Sequence, residues 1–109
     1  MKQHKRTWQR HEQRVAEALG TQRNGNTGAA TADIVTDWLA VECKSWRTLP
    51  AKVAAAMEQA EAAASSGQLP IAVLHQVGQR SAQDMVVMRW GDFLNWFGGS
   101  QEEGEQQRD

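Results

Sequence analysis

Apolar positions in the first part of the chain recur at the spacing of an amphipathic helix. The helix is predicted from about Thr7 to Leu19, and Gly20 directly after it is a natural stop. Its apolar stripe consists of Trp8, Val15, Ala16 and Leu19. Residues 21–31 are rich in Gly, Asn and Thr, and this composition predicts a loop.

Two strand-like runs follow the loop. They are Ala32–Thr36 and Trp38–Ser45, and they lie so close together that a tight antiparallel turn near Asp37 is the simplest connection. The sequence therefore predicts a β-hairpin at this point.

The second half of the chain predicts a helix, two strands and a short last helix. The alanine-rich run from Leu49 to Ser66 has a proline near its start and a glycine just after its end. Strands are predicted at Pro70–His75 and Asp84–Trp90, and a helix after Gly91. The order α-β-β-α-β-β-α predicts an α/β fold, with a mixed central sheet of about four strands flanked by helices.

Length and composition refine this picture. The chain has 109 residues, which suits a single domain over residues 1–98, and we expect residues 99–109 to form a disordered acidic tail. Residues 1–23 contain six basic and two acidic residues, a net charge of +4, whereas the tail contains one basic and four acidic residues, a net charge of −3. A basic end suggests a surface that faces a polyanion, although such a run is often only a solvated face.

Cysteine content and hydropathy indicate the compartment. Cys43 is the single cysteine, so an internal disulfide is excluded and a reducing interior is expected. The sequence shows neither a signal peptide nor an apolar run long enough to cross a bilayer. We therefore expect a cytoplasmic protein without membrane contact.

The second predicted strand carries an unusual pair of charges. Alternation places Ala40, Glu42 and Lys44 on one face of this strand. Glutamate and lysine are seldom buried without a partner, so the pair needs an explanation. One explanation is an ion pair on a solvent-facing sheet surface. The other is a functional site.

Asp33 in the preceding strand favours a site. An antiparallel hairpin can bring its carboxylate beside Glu42. Two carboxylates next to Lys44 make a hard oxygen site suited to Mg²⁺, with the ammonium as a fixed positive charge. Such a group suits phosphodiester cleavage, because the metal activates water and neutralises phosphate charge while the lysine stabilises the transition state.

Glu12 is a further candidate because it falls on the stripe that the first helix should bury. In one interpretation it lies at the edge of the stripe and pairs in solvent near Arg10 or Arg14. In the other, the helix delivers its carboxylate to the metal, directly or through water.

The pattern of these residues resembles that of the PD-(D/E)XK nuclease superfamily, and in particular that of the Holliday junction resolvases of archaea and their phage relatives. The likeness consists of Ala32-Asp33, eight residues, and then Glu42-Cys43-Lys44, and it extends to TWQRHEQRVAEALG as first helix and AAAMEQAEAAA as the helix after the hairpin. The chain departs from the pattern at Ala32, where proline is usual.

The resemblance implies a restriction-endonuclease-like core and a specific set of site residues. Asp33, Glu42 and the helical Glu12 would bind Mg²⁺ or Mn²⁺ together with the backbone carbonyl of Cys43. Lys44 would be the catalytic lysine, and Gln59 the accessory glutamine of the following helix.

Basic and amide side chains near this site are candidates for holding DNA. Glycines allow close approach to the backbone, and arginine can bind a phosphate with two hydrogen bonds. The alternative is a mobile surface loop. The candidates are Lys5, Arg6, Arg10, Arg23, Asn24 and Arg47.

The sequence therefore predicts a Mg²⁺-dependent endonuclease acting on branched or distorted DNA, in a bacterial or phage-infected host cell. So small a domain favours recognition of shape and backbone over base reading. Symmetric junction cleavage implies a C₂ homodimer, with apolar residues of the C-terminal strand and helix as candidate interface. The alternatives are a nicking or repair nuclease of the same fold, an inactive DNA-binding or assembly protein, or a structural protein with chance charges on its sheet.

Overall fold

The computed structural model describes residues 2–24 and 32–98, and the side chains of all of these except residues 2–6. The predicted tail at 99–109 and most of the predicted loop therefore lie outside the described residues. The predicted element order is confirmed. The elements are α1 (Lys2–Ala18), β1 (Ile34–Val35), β2 (Ala40–Val41), α2 (Ala51–Ala63), β3 (Ala72–Leu74), β4 (Met85–Val87) and α3 (Trp90–Phe93).

The chain divides into two compact units, Met1–Arg47 and Thr48–Asp109. Each unit has its own antiparallel sheet of two strands, β1 with β2 and β3 with β4. The fold is thus a mixture of helices and small sheets, but the expectation of one mixed sheet of about four strands, with a restriction-endonuclease-like core, is wrong for the described residues. Strands inside such a sheet are nearly continuous apolar runs, whereas after Val41 the chain continues with Glu42 and Lys44, both exposed.

Helix α1 ends in a glycine-dependent turn, as the sequence predicts. Gly20 has a φ of 74°, in the left-handed region that favours glycine. The N–H of Gly20 donates to the carbonyl of Glu17 at 3.0 Å, and the N–H of Thr21 donates to that of Ala16 at 2.9 Å. This is the Schellman pattern, which satisfies the last carbonyl groups of a helix and reverses the chain.

The core of the first unit lies between α1 and the β1–β2 hairpin. Ile34 is fully buried, and it packs with Val15 and Ala16 of the helix. Leu19, Val41 and Cys43 are partly buried against this cluster. Alternation along the hairpin thus turns one face to the helix and leaves the other face to the charged residues.

The hairpin has a fixed register and a two-residue loop. Ile34 pairs with Val41, and Val35 pairs with Ala40. At the turn, the N–H of Thr36 donates to the carbonyl of Leu39 at 2.8 Å, and its hydroxyl oxygen accepts from the N–H of Leu39 at 3.1 Å. The predicted tight connection near Asp37 is confirmed.

The second unit combines α2, the β3–β4 hairpin and α3. Met57 is the buried residue of α2, and Val73 pairs with Val86 across the hairpin. Arg89 joins the end of the hairpin to α2 through a two-pronged ion pair with Glu61, at 2.7 and 3.0 Å. This pair raises the pKa of Arg89 and lowers the pKa of Glu61, chiefly through the hydrogen bond between them.

Helix α3 begins at Trp90 and continues into a wider π-helical turn over Leu94–Gly98. The rings of Trp90 and Phe93 stack with centroids 5.3 Å apart. Apolar side chains of this C-terminal part are exposed, among them Val73, Val86, Trp96 and Phe97. None of the helices in the described ranges combines the length and the apolar character that a membrane-spanning segment needs.

Candidate functional site

The hairpin register determines where the first two candidate carboxylates lie. The ladder pairs Ile34 with Val41, and one step outward along the same register sets Asp33 opposite Glu42. Beyond the two-residue ladder, Asp33 itself holds the strands together, because its Oδ2 accepts a hydrogen bond from the N–H of Cys43 at 2.8 Å. The predicted hairpin is confirmed, whereas the placing of the Asp33 carboxylate beside that of Glu42 stays a prediction.

Glu42 and Lys44 share the outer face of the hairpin. Lys44 Nζ lies 3.6 Å from Glu42 Oε2, and their side chains are 65% and 56% exposed. This geometry is the solvent-facing ion pair that the sequence left open as one explanation. An exposed pair of this kind contributes only about 0–1 kcal/mol, so it leaves both groups available to a ligand.

Glu12 is buried, at 8% exposure, on the face of α1 that meets the hairpin. Its Oε1 accepts a hydrogen bond from Arg23 Nε at 2.9 Å. The guanidinium of Arg23 also lies over the ring of Trp8, 5.9 Å from its centre. The alternative that Glu12 pairs in solvent at the edge of the stripe is therefore wrong.

Asn24 connects the end of the α1 turn to the start of β1. Its N–H donates to the carbonyl of Asp33 at 2.6 Å, and its side-chain amide donates to the carbonyl of Ala32 at 2.9 Å. These bonds hold the backbone that follows Arg23 against the backbone at the start of β1. The side-chain amide of Asn24 is thus used within the protein. Its role in holding DNA stays a prediction.

The Cys43 thiol lies within electrostatic reach of Asp33, Glu12 and Glu42. Its pKa is raised, first by burial and then by the negative charges of Asp33, Glu12 and Glu42. All three candidate carboxylates thus lie near enough to one thiol to disfavour its ionised form. That the three acids share one site stays a prediction.

The chemistry of these donors suits a hard divalent cation, but their present partners come from the protein itself. Arg23 holds Glu12, the N–H of Cys43 holds Asp33, and Lys44 faces Glu42. Among the described side chains, at residues 7–24 and 32–98, no group of three His, Cys, Asp or Glu is arranged to hold a metal ion. Metal binding by this donor set would require at least one of these contacts to be exchanged.

The remaining candidate residues are not brought to this cluster by any described contact. Arg10 and Arg47 are exposed in the first unit, and Gln59 is exposed on α2 in the second. The side chains of Lys5 and Arg6 lie outside the described residues.

Two pairs in the structure are not among the sequence predictions. The first is Arg23 with Glu12, and its signal is that a buried carboxylate needs a cation and Arg23 is the first one after the α1 turn. His75 Nδ1 lies 2.6 Å from Asp84 Oδ1 across the β3–β4 hairpin. The register of the two predicted strands was the signal that could have revealed this second pair.

Comparison with known proteins identifies no relative: no family model matches the chain, and neither a curated protein nor a solved structure is similar to it.

Proposed function

We propose that this chain is a metal-dependent endonuclease that hydrolyses DNA phosphodiester bonds. The observation that carries the proposal is the β1–β2 register, in which Asp33 and Glu42 are the residues next to the paired Ile34 and Val41. Lys44 follows on the face of Glu42, with its ammonium 3.6 Å away. Two carboxylates and an amine on adjacent strands supply both metal ligands and a positive charge for a phosphate.

The residues of the cluster would divide the work. Asp33 and Glu42, together with Glu12 and the backbone carbonyl of Cys43, would hold Mg²⁺ or Mn²⁺. When bound, the ion supplies an acidified water and neutralises charge on the phosphate oxygens. Lys44 would orient the attacking water and stabilise negative charge that develops on the phosphate. Its weak, exposed contact with Glu42 is compatible with this use.

The proposed substrate is branched or distorted DNA, as for a Holliday junction resolvase. Arginines at positions 10, 23 and 47 supply positive charge in the first unit, and phosphate contacts of this kind read shape and backbone. Two such sites in a C₂ homodimer would cut two strands, and exposed apolar residues such as Val73 and Trp96 are the candidate interface. Gln59 would assist as accessory residue. The proposed location is the cytoplasm of a bacterial or phage-infected cell.

A cleavage assay with matched variants tests the proposal. The chain is incubated with Mg²⁺ and four-way-junction, flap, duplex or single-stranded DNA, and wild type is compared with Asp33→Asn and Lys44→Ala. Asp37→Asn and Lys52→Ala are matched controls, because both residues are exposed and lie outside the cluster. We expect at least a hundredfold loss for the two site variants and little change for the controls. Equal results for all five proteins on every DNA would refute the nuclease proposal.

Substrate selectivity and metal dependence are separate outcomes. Cleavage no better on the junction than on duplex would leave a nicking or repair nuclease and remove the resolvase assignment. Removal of the divalent ion by a chelator should abolish cleavage. Ca²⁺ should support DNA binding without supporting cleavage.

One observation favours a second candidate, a DNA-binding or assembly protein without catalysis. Each of the three carboxylates has a partner within the protein, and the described part of the chain holds no preassembled metal group. This candidate predicts junction binding that does not need a divalent ion and no cleavage by wild type.

A further inference from the structure

A short segment with basic and aromatic side chains follows β2 in the first unit. It consists of Lys44, Ser45, Trp46 and Arg47, and all four residues are exposed. We propose that this segment binds unpaired nucleotides of DNA, with the indole ring of Trp46 stacked on a base and Arg47 bound to a neighbouring phosphate. This inference rests on the proposed function for the choice of DNA as the ligand, and it narrows the substrate to DNA that contains single-stranded nucleotides.

The ring of Trp46 is accessible to a ligand over most of its surface, because the residue is 61% exposed. Among the described residues, the side chains of Trp46 and Arg47 have no hydrogen bond, ion pair or ring contact. An indole ring is a large apolar surface, and every base of a nucleic acid has a flat face that can stack on it. Neighbouring base pairs cover these faces in a duplex, so unpaired bases are the ones that can stack on the protein.

The charge of the segment favours a polyanion over an apolar partner. Residues 44–50 contain two basic residues and no acidic residue, and Trp46 lies between the two cations. Lys44 is 65% exposed, and its contact with Glu42 at 3.6 Å is of the weak, solvent-facing kind. Two residues of chain span at most about 7 Å, so both cations lie close to the ring. One nucleotide can therefore place its base on Trp46 and its phosphate on a cation.

Trp38 provides an internal comparison within the same hairpin. It is 60% exposed, almost the same as Trp46, but it follows Asp37 in the turn rather than lying between two cations. Asp37 would repel a phosphate, so the two tryptophans have equal exposure and opposite neighbouring charge. The ring of Trp8 differs from both, because it already contacts the guanidinium of Arg23.

Fluorescence anisotropy of labelled DNA tests the inference on the full chain, with a chelator present so that no divalent ion takes part. One DNA is a blunt duplex, and the other is the same duplex with a thymidine overhang of about ten nucleotides, within the usual range of single-stranded site sizes. Wild type should prefer the overhang duplex. Trp46→Ala should bind the overhang duplex about fivefold or more weakly than wild type, the effect of losing one base–aromatic stack, and the blunt duplex within about twofold.

Two further variants control for the ring and for its place. Trp46→Phe keeps an aromatic ring and should lose less affinity for the overhang duplex than Trp46→Ala. Trp38→Ala removes an equally exposed ring from the same hairpin and should bind both DNAs as wild type does. Circular dichroism checks that every variant remains folded.

Salt dependence separates the ring from the cation. Arg47→Gln should lower the slope of log affinity against log salt concentration by about 0.7 on the overhang duplex, the loss of one phosphate contact on a single strand. Trp46→Ala should leave this slope unchanged, because an uncharged ring releases no counter-ion from DNA.

Three results would overturn the inference. They are equal binding of both DNAs by wild type, a Trp46→Ala variant that loses nothing or loses equally on both DNAs, and a Trp38→Ala variant that loses as much as Trp46→Ala. The cleavage assay decides separately on the nuclease proposal, because the binding assay contains no divalent ion. Overhang binding that depends on Trp46 would stand without cleavage, and cleavage by wild type would stand without it.

Discussion

The hydrogen bond from the N–H of Cys43 to Asp33 gives this side chain a structural role that can be measured apart from any chemistry. The β1–β2 ladder is only two residues long, and Asp33 extends the pairing beyond it. Asp33→Ala removes the acceptor, whereas Asp33→Asn keeps an amide oxygen that can accept from the same N–H and removes only the charge. The two variants therefore separate loss of the anchor from loss of the carboxylate.

The expected magnitudes follow from the contact. A hydrogen bond to a charged group contributes about 1.5–3 kcal/mol, and Asp33 is half-buried, so we expect Asp33→Ala to lower the free energy of unfolding by about 1–2 kcal/mol. Asp33→Asn replaces a charged acceptor by a neutral one and should cost about 0.5 kcal/mol. Asp37→Ala, in the exposed turn of the same hairpin, should change stability by less than about 0.5 kcal/mol.

Urea unfolding followed by far-ultraviolet circular dichroism measures these differences, and the same samples enter the cleavage assay. We expect Asp33→Asn to be nearly as stable as wild type but inactive. If Asp33→Ala is as stable as wild type, or if the asparagine variant loses as much stability as the alanine variant, the anchoring role assigned to this hydrogen bond is refuted.

Three further predictions concern the same unit. Ile34→Ala should lower the free energy of unfolding by about 2–4 kcal/mol, because Ile34 is fully buried against α1, and a result under 1 kcal/mol in urea unfolding would contradict that core. Asp33→Asn and Glu12→Gln should each lower the pKa of Cys43, because both carboxylates raise it, so alkylation at a fixed pH below that pKa should be faster; unchanged rates would place the acids far from the thiol. Gly20→Ala should cost about 1–2 kcal/mol from backbone strain alone, since its φ is 74° and no atom lies within 4 Å of an added Cβ; a neutral result by thermal unfolding would contradict the turn.

Local signals in the sequence were sufficient for the elements and for part of the site. The stop at Gly20, the turn near Asp37 and the alternation from Ala40 to Lys44 each depend on neighbouring residues, and the structure confirms them. The burial of Glu12 follows in the same way from helix periodicity.

The remaining features depend on contacts that local patterns do not contain. Which strands belong to one sheet depends on which strands exchange hydrogen bonds. Here the strands of each hairpin pair with each other, and the two hairpins form separate sheets. The partner of Glu12 depends on where the chain goes after Gly20, since the reversal brings Arg23 back to α1. Neither outcome can be read from a period of two or 3.6 residues.

The two hydrogen bonds from Asn24 have a consequence for the isolated hairpin. They join Asn24 to Ala32 and Asp33, so these two bonds set the distance between Asn24 and the start of β1. A peptide that carries only the β1–β2 segment would lack the Asn24 donors and should therefore form this hairpin less readily than the full chain does.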